Sequence, residues 1–317
     1  MFAPAGMFTP KGREIVSETE VQRLDHPPQI EEKVHVALID GSITYALKVE
    51  SRAEMAFTLP TPAGESPPFY LLHQDGVPFW YVPYHGIDFM SAADNVQVGF
   101  TRVWYVLHVL GVRDAISAAF CGSASPHIAA GDLAVMTDLI DFSFARPRSI
   151  LTEIWERLPW MGVSFSPPLC PELGGIVFEA ARSHAVRGNV IRSSTAGQFE
   201  GHRFGSPAEV RMARTLGVDV LTHHLVTEAI YARELGIHFS ALNYVSNVGA
   251  GMGSSWDESI VEIDEQWEDK EAGAAILLSA VSAAGAREVQ CDFCPRARSK
   301  PVMFLEPAEP RLKPVFR

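Results

Sequence analysis

Residues Phe199–Asn247 read FEGHRFGSPAEVRMARTLGVDVLTHHLVTEAIYARELGIHFSALNYVSN. Ser206-Pro207-Ala208-Glu209 is a capping box with proline at the first helical position, so a helix begins there. Val210, Ala213 and Gly217 share its apolar face, and Gly217 suits a left-handed C-terminal cap. Val218–Thr222 follows as a short buried strand. A second helix is expected over about Val226–Leu235, stopped by Gly236. Ile237–Ser246 is the next strand, with 247–251 as its terminal loop. Helices alternating with short buried strands specify an α/β domain with a largely parallel sheet. Ligands in such sheets collect beyond the C-terminal strand ends.

The pattern extends outward. VHVALI (Val34–Ile39) is a buried strand running into the turn Asp40-Gly41-Ser42. Pro68–Val82 alternates apolar and aromatic residues around Gln74-Asp75-Gly76, a hairpin signal. A helix over about Val98–Leu110 closes at Gly111. Strands follow at Ala115–Phe120, with Cys121-Gly122-Ser123 as a loop, and near Leu133–Thr137. Asp257–Ala284 has a long helical pattern. Four loops are therefore expected at the ligand end: 40–44, 118–123, 222–226 and 246–251. Residues 1–33 read as an N-terminal extension, 34–290 as one domain and 291–317 as a C-terminal tail.

The 317 residues are 47% hydrophobic and carry a formal net charge of −12. That composition suits a globular enzyme, and the charge disfavours nucleic-acid partners. No apolar run reaches the ~18–20 residues needed to span a bilayer, and no signal-peptide core is present, so a cytoplasmic location is expected. Cys291 and Cys294 form an isolated C-x-x-C. A zinc ribbon would need a second pair, and neither Cys121 nor Cys170 has that spacing, so a structural or incidental role is expected, with a terminal metal clip or a disulfide as the alternative. The first strand lacks G-x-G-x-x-G, which excludes a dinucleotide-binding dehydrogenase.

The quoted stretch resembles the substrate-binding half of the purine nucleoside phosphorylase and methylthioadenosine phosphorylase family. Three further blocks resemble it in order and spacing: VALIDGSITY (Val36–Tyr45), VWYVLHVLGVRDAISAAFCGS (Val103–Ser123) and IAAGDLAVMTDLIDFSFARPRS (Ile128–Ser149). The resemblance implies a phosphorylase/hydrolase-like single domain, a central mixed, largely parallel sheet flanked by helices. It also implies a homotrimer or multiple of trimers with sites near subunit interfaces. The implied chemistry is displacement at the anomeric carbon of a nucleoside, with phosphate as co-substrate and neither metal nor organic cofactor. The protein must hold an anion beneath the sugar and hydrogen-bond the departing purine.

Carried over position by position, the resemblance assigns the anion to Gly41, Ser42, Tyr84, His85, Ala119, Phe120 and His224. The nucleoside falls to Phe204, Gly205, His223, Asn247 and Gly249, with Asn247, His224 and His85 in catalytic positions. Several of these depart from the family. Tyr84 stands where arginine is usual, and Ala119 where a threonine or asparagine is usual. His223-His224 replaces a methionine and a hydroxyl residue. Gly205 replaces the glutamate of 6-oxopurine enzymes, and Gly249 an adenine-reading aspartate. The Trp256 loop and the Pro147–Arg192 region are expected to shape the pocket for the 5′ substituent. Phosphorolysis is the leading expectation. Hydrolysis with His224 or Asp88 as general base, or ligand binding without turnover, stays open. His85, His223 and His224 are not expected to share a metal, because adjacent side chains at a strand end diverge.

Overall fold

The computed structural model describes residues 20–40, 43–44, 52–83, 99–157, 162–185, 187–201, 203–253, 270–296 and 311–315. The chain runs through β1 (Val21–Arg23), β2 (Val36–Ile39), β3 (Met55–Thr58), β4 (Pro60–Thr61), β5 (Gly64–Glu65), β6 (Phe69–Gln74) and β7 (Val77–Val82). Helix α1 (Phe100–Val109) leads to β8 (Asp114–Ser123), β9 (Leu133–Asp141), α2 (Ile150–Ile154), β10 (Trp155–Arg157), α3 (Pro171–His184) and β11 (Val190–Gln198). The stretch quoted first folds as α4 (Pro207–Thr215), β12 (Val220–Thr222), α5 (Leu225–Leu235) and β13 (His238–Val248). Beyond it lie α6 (Lys270–Ala286), α7 (Phe293–Arg296) and β14 (Arg311–Leu312).

The main sheet has the order β1-β3-β6-β7-β2-β8-β12-β11-β9-β13, and β13 pairs back onto β8. Strands β8, β12, β11, β9 and β13 thereby close a ring. The sheet is mixed: β2 lies parallel to β7 and β8, while β12 runs antiparallel to β8. Val21–Arg23, within the segment expected to precede the core, adds a parallel edge strand beside β3.

Strand alternation divides the core between the two sheet faces. Ala37 and Ile39 of β2 join Trp80, Trp104, Ala115 and Leu225 on the face covered by α1 and α5. Val36 and Leu38 join Phe79, Ile116, Leu173 and Leu277 on the face covered by α3 and α6. All four β2 residues are buried, as a central strand covered on both sides requires.

The expected capping box is present at Ser206 and Glu209, and Gly236 closes α5 at φ 75°. Asp75 and Gly76 form the β6–β7 turn, both at positive φ. The strand expected to end at Phe120 continues through Ser123, because β12 pairs with Gly122 and Ser123. Similarly, β13 runs on to Val248 through pairing with β8, and β9 to Asp141 through pairing with β11. Of the long helical pattern expected over 257–284, residues 257–269 lie outside the described residues. Among the described residues, no helix is long and apolar enough to cross a membrane.

Candidate functional site

A fork in the sheet creates the site. One edge of β8 pairs with β2 at Asp114–Ser117 and with β12 at Gly122–Ser123. Between those pairings β8 changes partner, as at a topological switch point, the place where ligands of α/β sheets collect. Ala119 and Phe120 lie in this intervening stretch. Ala119 is buried, and the Phe120 ring packs edge-on to Tyr244 at 5.4 Å.

Beyond β2 the chain is turned by buried Asp40. Its carboxylate accepts hydrogen bonds from Ile43 N (3.3 Å), Thr44 N (2.6 Å) and Thr44 Oγ1 (2.7 Å). Thr44 Oγ1 also lies 2.7 Å from the Tyr81 hydroxyl. The residues expected on the anion side around this turn, Gly41, Ser42, Tyr84 and His85, lie outside the described residues, as do Asp88 and Trp256.

His224 stands where β12 gives way to α5, as the residue capping that helix. Its Nδ1 is 2.8 Å from Glu228 Oε1, one helical turn on, and the same oxygen accepts from Ser117 Oγ at 3.2 Å. Both side chains are buried. Burial, then the charges of Arg146 and His223, bring the imidazole down to about 3. Burial raises the Glu228 carboxyl well above the usual range, against the Ser117 hydrogen bond and with help from Asp40. Desolvation therefore favours an uncharged pair. With its proton on Nδ1, shared with Glu228 Oε1, the imidazole presents Nε2 as a hydrogen-bond acceptor.

Arg146, with a side chain 2% exposed, ties the surrounding loops together. It donates to the carbonyl oxygens of His223 and Glu200 and lies 3.4 Å from Glu200 Oε2. Its guanidinium and the His224 ring both pack on Phe100, at 5.9 and 6.0 Å. Glu200 in turn accepts from the Phe144 and Ala145 backbone amides. Gln198 closes the layer beneath, donating to Thr227 Oγ1 at 2.8 Å and accepting from Thr227 N at 3.0 Å.

Asn247 sits on a β-bulge. Val245 opposes Cys121 and Asn247 opposes Gly122, so Ser246 is the extra residue. Such a bulge re-aims the side chain that follows it. Asn247 Nδ2 donates to Val248 O at 2.9 Å, and Oδ1 lies 3.1 Å from Ser246 Oγ. Gly249 is pressed against β8: a Cβ there would meet Ser123 O at 2.8 Å and Val210 Cγ1 at 2.9 Å. A reading side chain at 249 is thus excluded by packing. Gly205 is less confined, its nearest neighbour being Val210 Cγ2 at 3.6 Å.

The adjacent histidines diverge as expected. His223 Nδ1 lies 3.4 Å from Phe199 O, and its ring faces Phe204 at 6.2 Å. Phe204 is 61% exposed. The structure also contributes residues not singled out in the sequence: Ser117, Arg146, Glu200 and Glu228. The four-residue spacing of His224 and Glu228 was a readable signal, since such pairs meet on a helix. Arg146 lies in the quoted FARPRS block, with nothing in its spacing to mark it.

Residues 80–282 match the model of the phosphorylase superfamily. The chain is 30% identical over 235 residues to a 6-oxopurine nucleoside phosphorylase from Pyrococcus furiosus, covering 68% of this chain and 80% of that protein. It is 29% identical over 251 residues to a probable S-methyl-5'-thioinosine phosphorylase from Methanothermobacter thermautotrophicus, covering 78% and 82%. In fold it is similar to the methylthioadenosine phosphorylase from Schistosoma mansoni in complex with tubercidin. That TM-score is 0.69 at 21% identity, covering 81% of this chain and 93% of the other.

Proposed function

The chain belongs to the phosphorylase superfamily, and from that premise we propose that it is a pentosyltransferase. It cleaves the N-glycosidic bond of a purine-type nucleoside with inorganic phosphate as co-substrate. The observation that carries this reading is that His224, at the start of α5 just past β12, and Asn247, on the bulge of β13, flank the Gly122–Ser123 end of β8, which pairs with both strands. In the reaction, the bond from the anomeric carbon to the purine nitrogen breaks and its electron pair leaves with the base. A phosphate oxygen forms the new bond to that carbon. Asn247 donates to N7 of the departing purine and stabilises its developing charge. His224 Nε2 accepts a hydrogen bond from the hydroxyl of monohydrogen phosphate or from the sugar and stays neutral, while Glu228 holds the ring. Gly41, Ser42, Tyr84, His85 and the β8 segment at Ala119–Phe120 complete the anion site. Phe204 and His223 flank the nucleoside.

Neither metal nor organic cofactor takes part in this chemistry. The protein works in the cytoplasm as a homotrimer or multiple of trimers. Phe144, 81% exposed beside Glu200, supports subunit packing at the rim of the site. Hydrolysis, with water in place of phosphate as the nucleophile, is the second reading. The test is a panel of purine nucleosides, 5′-methylthio and 5′-deoxy forms included, incubated with and without phosphate and followed by chromatography of free base. Release that requires phosphate supports phosphorolysis; equal release without phosphate makes the protein a hydrolase.

A further inference from the structure

A second cluster of reactive side chains lies far from this site. Cys170, His238, Cys291 and Cys294 each offer one ligand atom, and all four atoms lie within 4.8 Å of one another. Cys170 Sγ is 3.4 Å from His238 Nδ1, and Cys291 Sγ is 3.6 Å from Cys294 Sγ. Cys170, His238 and Cys294 are buried, and Cys291 is partly so. His238 opens β13, nine residues before Asn247, which places the cluster ~30 Å along the strand from the reacting end.

We propose that Cys170, His238, Cys291 and Cys294 bind one zinc ion in a closed tetrahedral site that fastens the C-terminal segment to the domain. Three thiolates and one imidazole form a donor set that selects zinc over hard cations. A tetrahedral ion with zinc–sulfur bonds of ~2.3 Å holds its sulfurs ~3.8 Å apart, close to the observed separation. A disulfide would bring the two sulfurs to ~2.0 Å, well inside that separation. Four protein ligands leave no open position, so the site is structural and not catalytic. Binding displaces the thiol protons to solvent and involves no redox change.

The surroundings are built to present these ligands. Cys170 caps α3 and donates its backbone N–H to Phe239 O at 3.1 Å, which sets it beside His238. Cys291 N donates to Glu172 Oε2 at 2.6 Å. Gly236, at φ 75°, takes the chain out of α5 with Pro295 Cα 3.6 Å from where its Cβ would be. Arg233 lies over the Phe293 ring at 4.8 Å and donates to Pro167 O at 2.7 Å. Three segments distant in sequence thus meet at one point, where an ion closes long loops. The isolated C-x-x-C lacked partners in sequence because they arrive from α3 and β13.

The experiment is elemental analysis of the purified full-length chain, prepared without chelator, followed by exchange with Co(II). One zinc per chain is expected, and the cobalt form should show thiolate charge-transfer and tetrahedral d–d absorption. Cys291→Ser and His238→Ala should each retain less than about a tenth of the wild-type zinc. Cys121→Ser, altering a buried cysteine outside the cluster, should retain all of it. Cys291 is the least buried ligand, so its variant serves if His238→Ala fails to fold. A metal-free chain that takes up no Co(II), a Cys291–Cys294 disulfide in non-reducing mass spectrometry, or full zinc in Cys291→Ser would overturn the proposal.

Discussion

Replacing Glu228 with glutamine tests the buried pair that orients His224. Glu228 Oε1 engages His224 and Ser117, while Oε2 has no hydrogen-bond partner among the described residues. An unpartnered buried carboxylate oxygen is a poor place for charge. With the carboxyl raised and the imidazole lowered to about 3, the folded pair holds one proton until Glu228 ionises. In the unfolded chain the groups titrate near their ordinary values of 4.5 and 6.5, so above the latter they hold none. The folded state then binds one proton more, and stability falls with rising pH by ~1.4 kcal/mol per unit until Glu228 ionises. Between the two ordinary values both states hold one proton and the pair contributes no slope. Below the lower value the unfolded chain holds two, and stability falls again towards acid.

Glu228→Gln removes the alkaline limb, because an amide does not titrate. It keeps the loss below the ordinary histidine value, because buried His224 still resists protonation. Between the ordinary histidine value and the pH at which Glu228 ionises, the wild type should lose ~1.4 kcal/mol per pH unit that the variant keeps. For a domain of this size that is ~3–5 °C in Tm per pH unit. Scanning fluorimetry of both proteins across that range reads the difference. Glu234, raised to about 7 by burial, titrates alike in both and cancels. Parallel Tm–pH curves would refute the shared-proton pair.

Three substitutions examine the site further. His224→Ala should lower kcat/KM by about 10²-fold through loss of the hydrogen bond that Nε2 accepts from the anion or sugar; unchanged kcat/KM with the best nucleoside would contradict that role. Asn247→Ala should reduce kcat/KM by about 10²–10³-fold with Tm little altered, since among the described residues its side chain hydrogen-bonds just the neighbouring Ser246 and Val248. A variant that chiefly unfolds would mark Asn247 as structural. Gly249→Ala should cost about 1–3 kcal/mol through overpacking against Ser123 O and Val210; wild-type thermal stability would show that the strand end yields.

The helix boundaries at Ser206 and Gly236 and the turn at Asp75-Gly76 were legible because each depends on local backbone chemistry. Other elements depend on tertiary partners. Helix α3 carries Gly174 and Gly175 inside PELGGIVFEAARSH, so weak propensity hides a helix held by its buried Leu173 and Val177. Strand β11 reads VIRSSTAGQ, too polar to announce itself, and forms because β9 and β12 flank it. The residues proposed to carry the chemistry, His224 and Asn247, were singled out in the sequence through the family resemblance. Their supports were not: Ser117 reaches Glu228 across 111 residues, and Arg146 reaches the His223 carbonyl across 77. The same non-locality concealed the ligands of the Cys291–Cys294 pair.

The most direct test of phosphorolysis is ³¹P NMR of the protein with a cleavable purine nucleoside and inorganic phosphate, with free base measured in parallel. The expected result is a pentose 1-phosphate resonance that grows in step with the base, one for one, as inorganic phosphate declines. Base release with an unchanged phosphate signal would contradict the central claim and assign the chemistry to water.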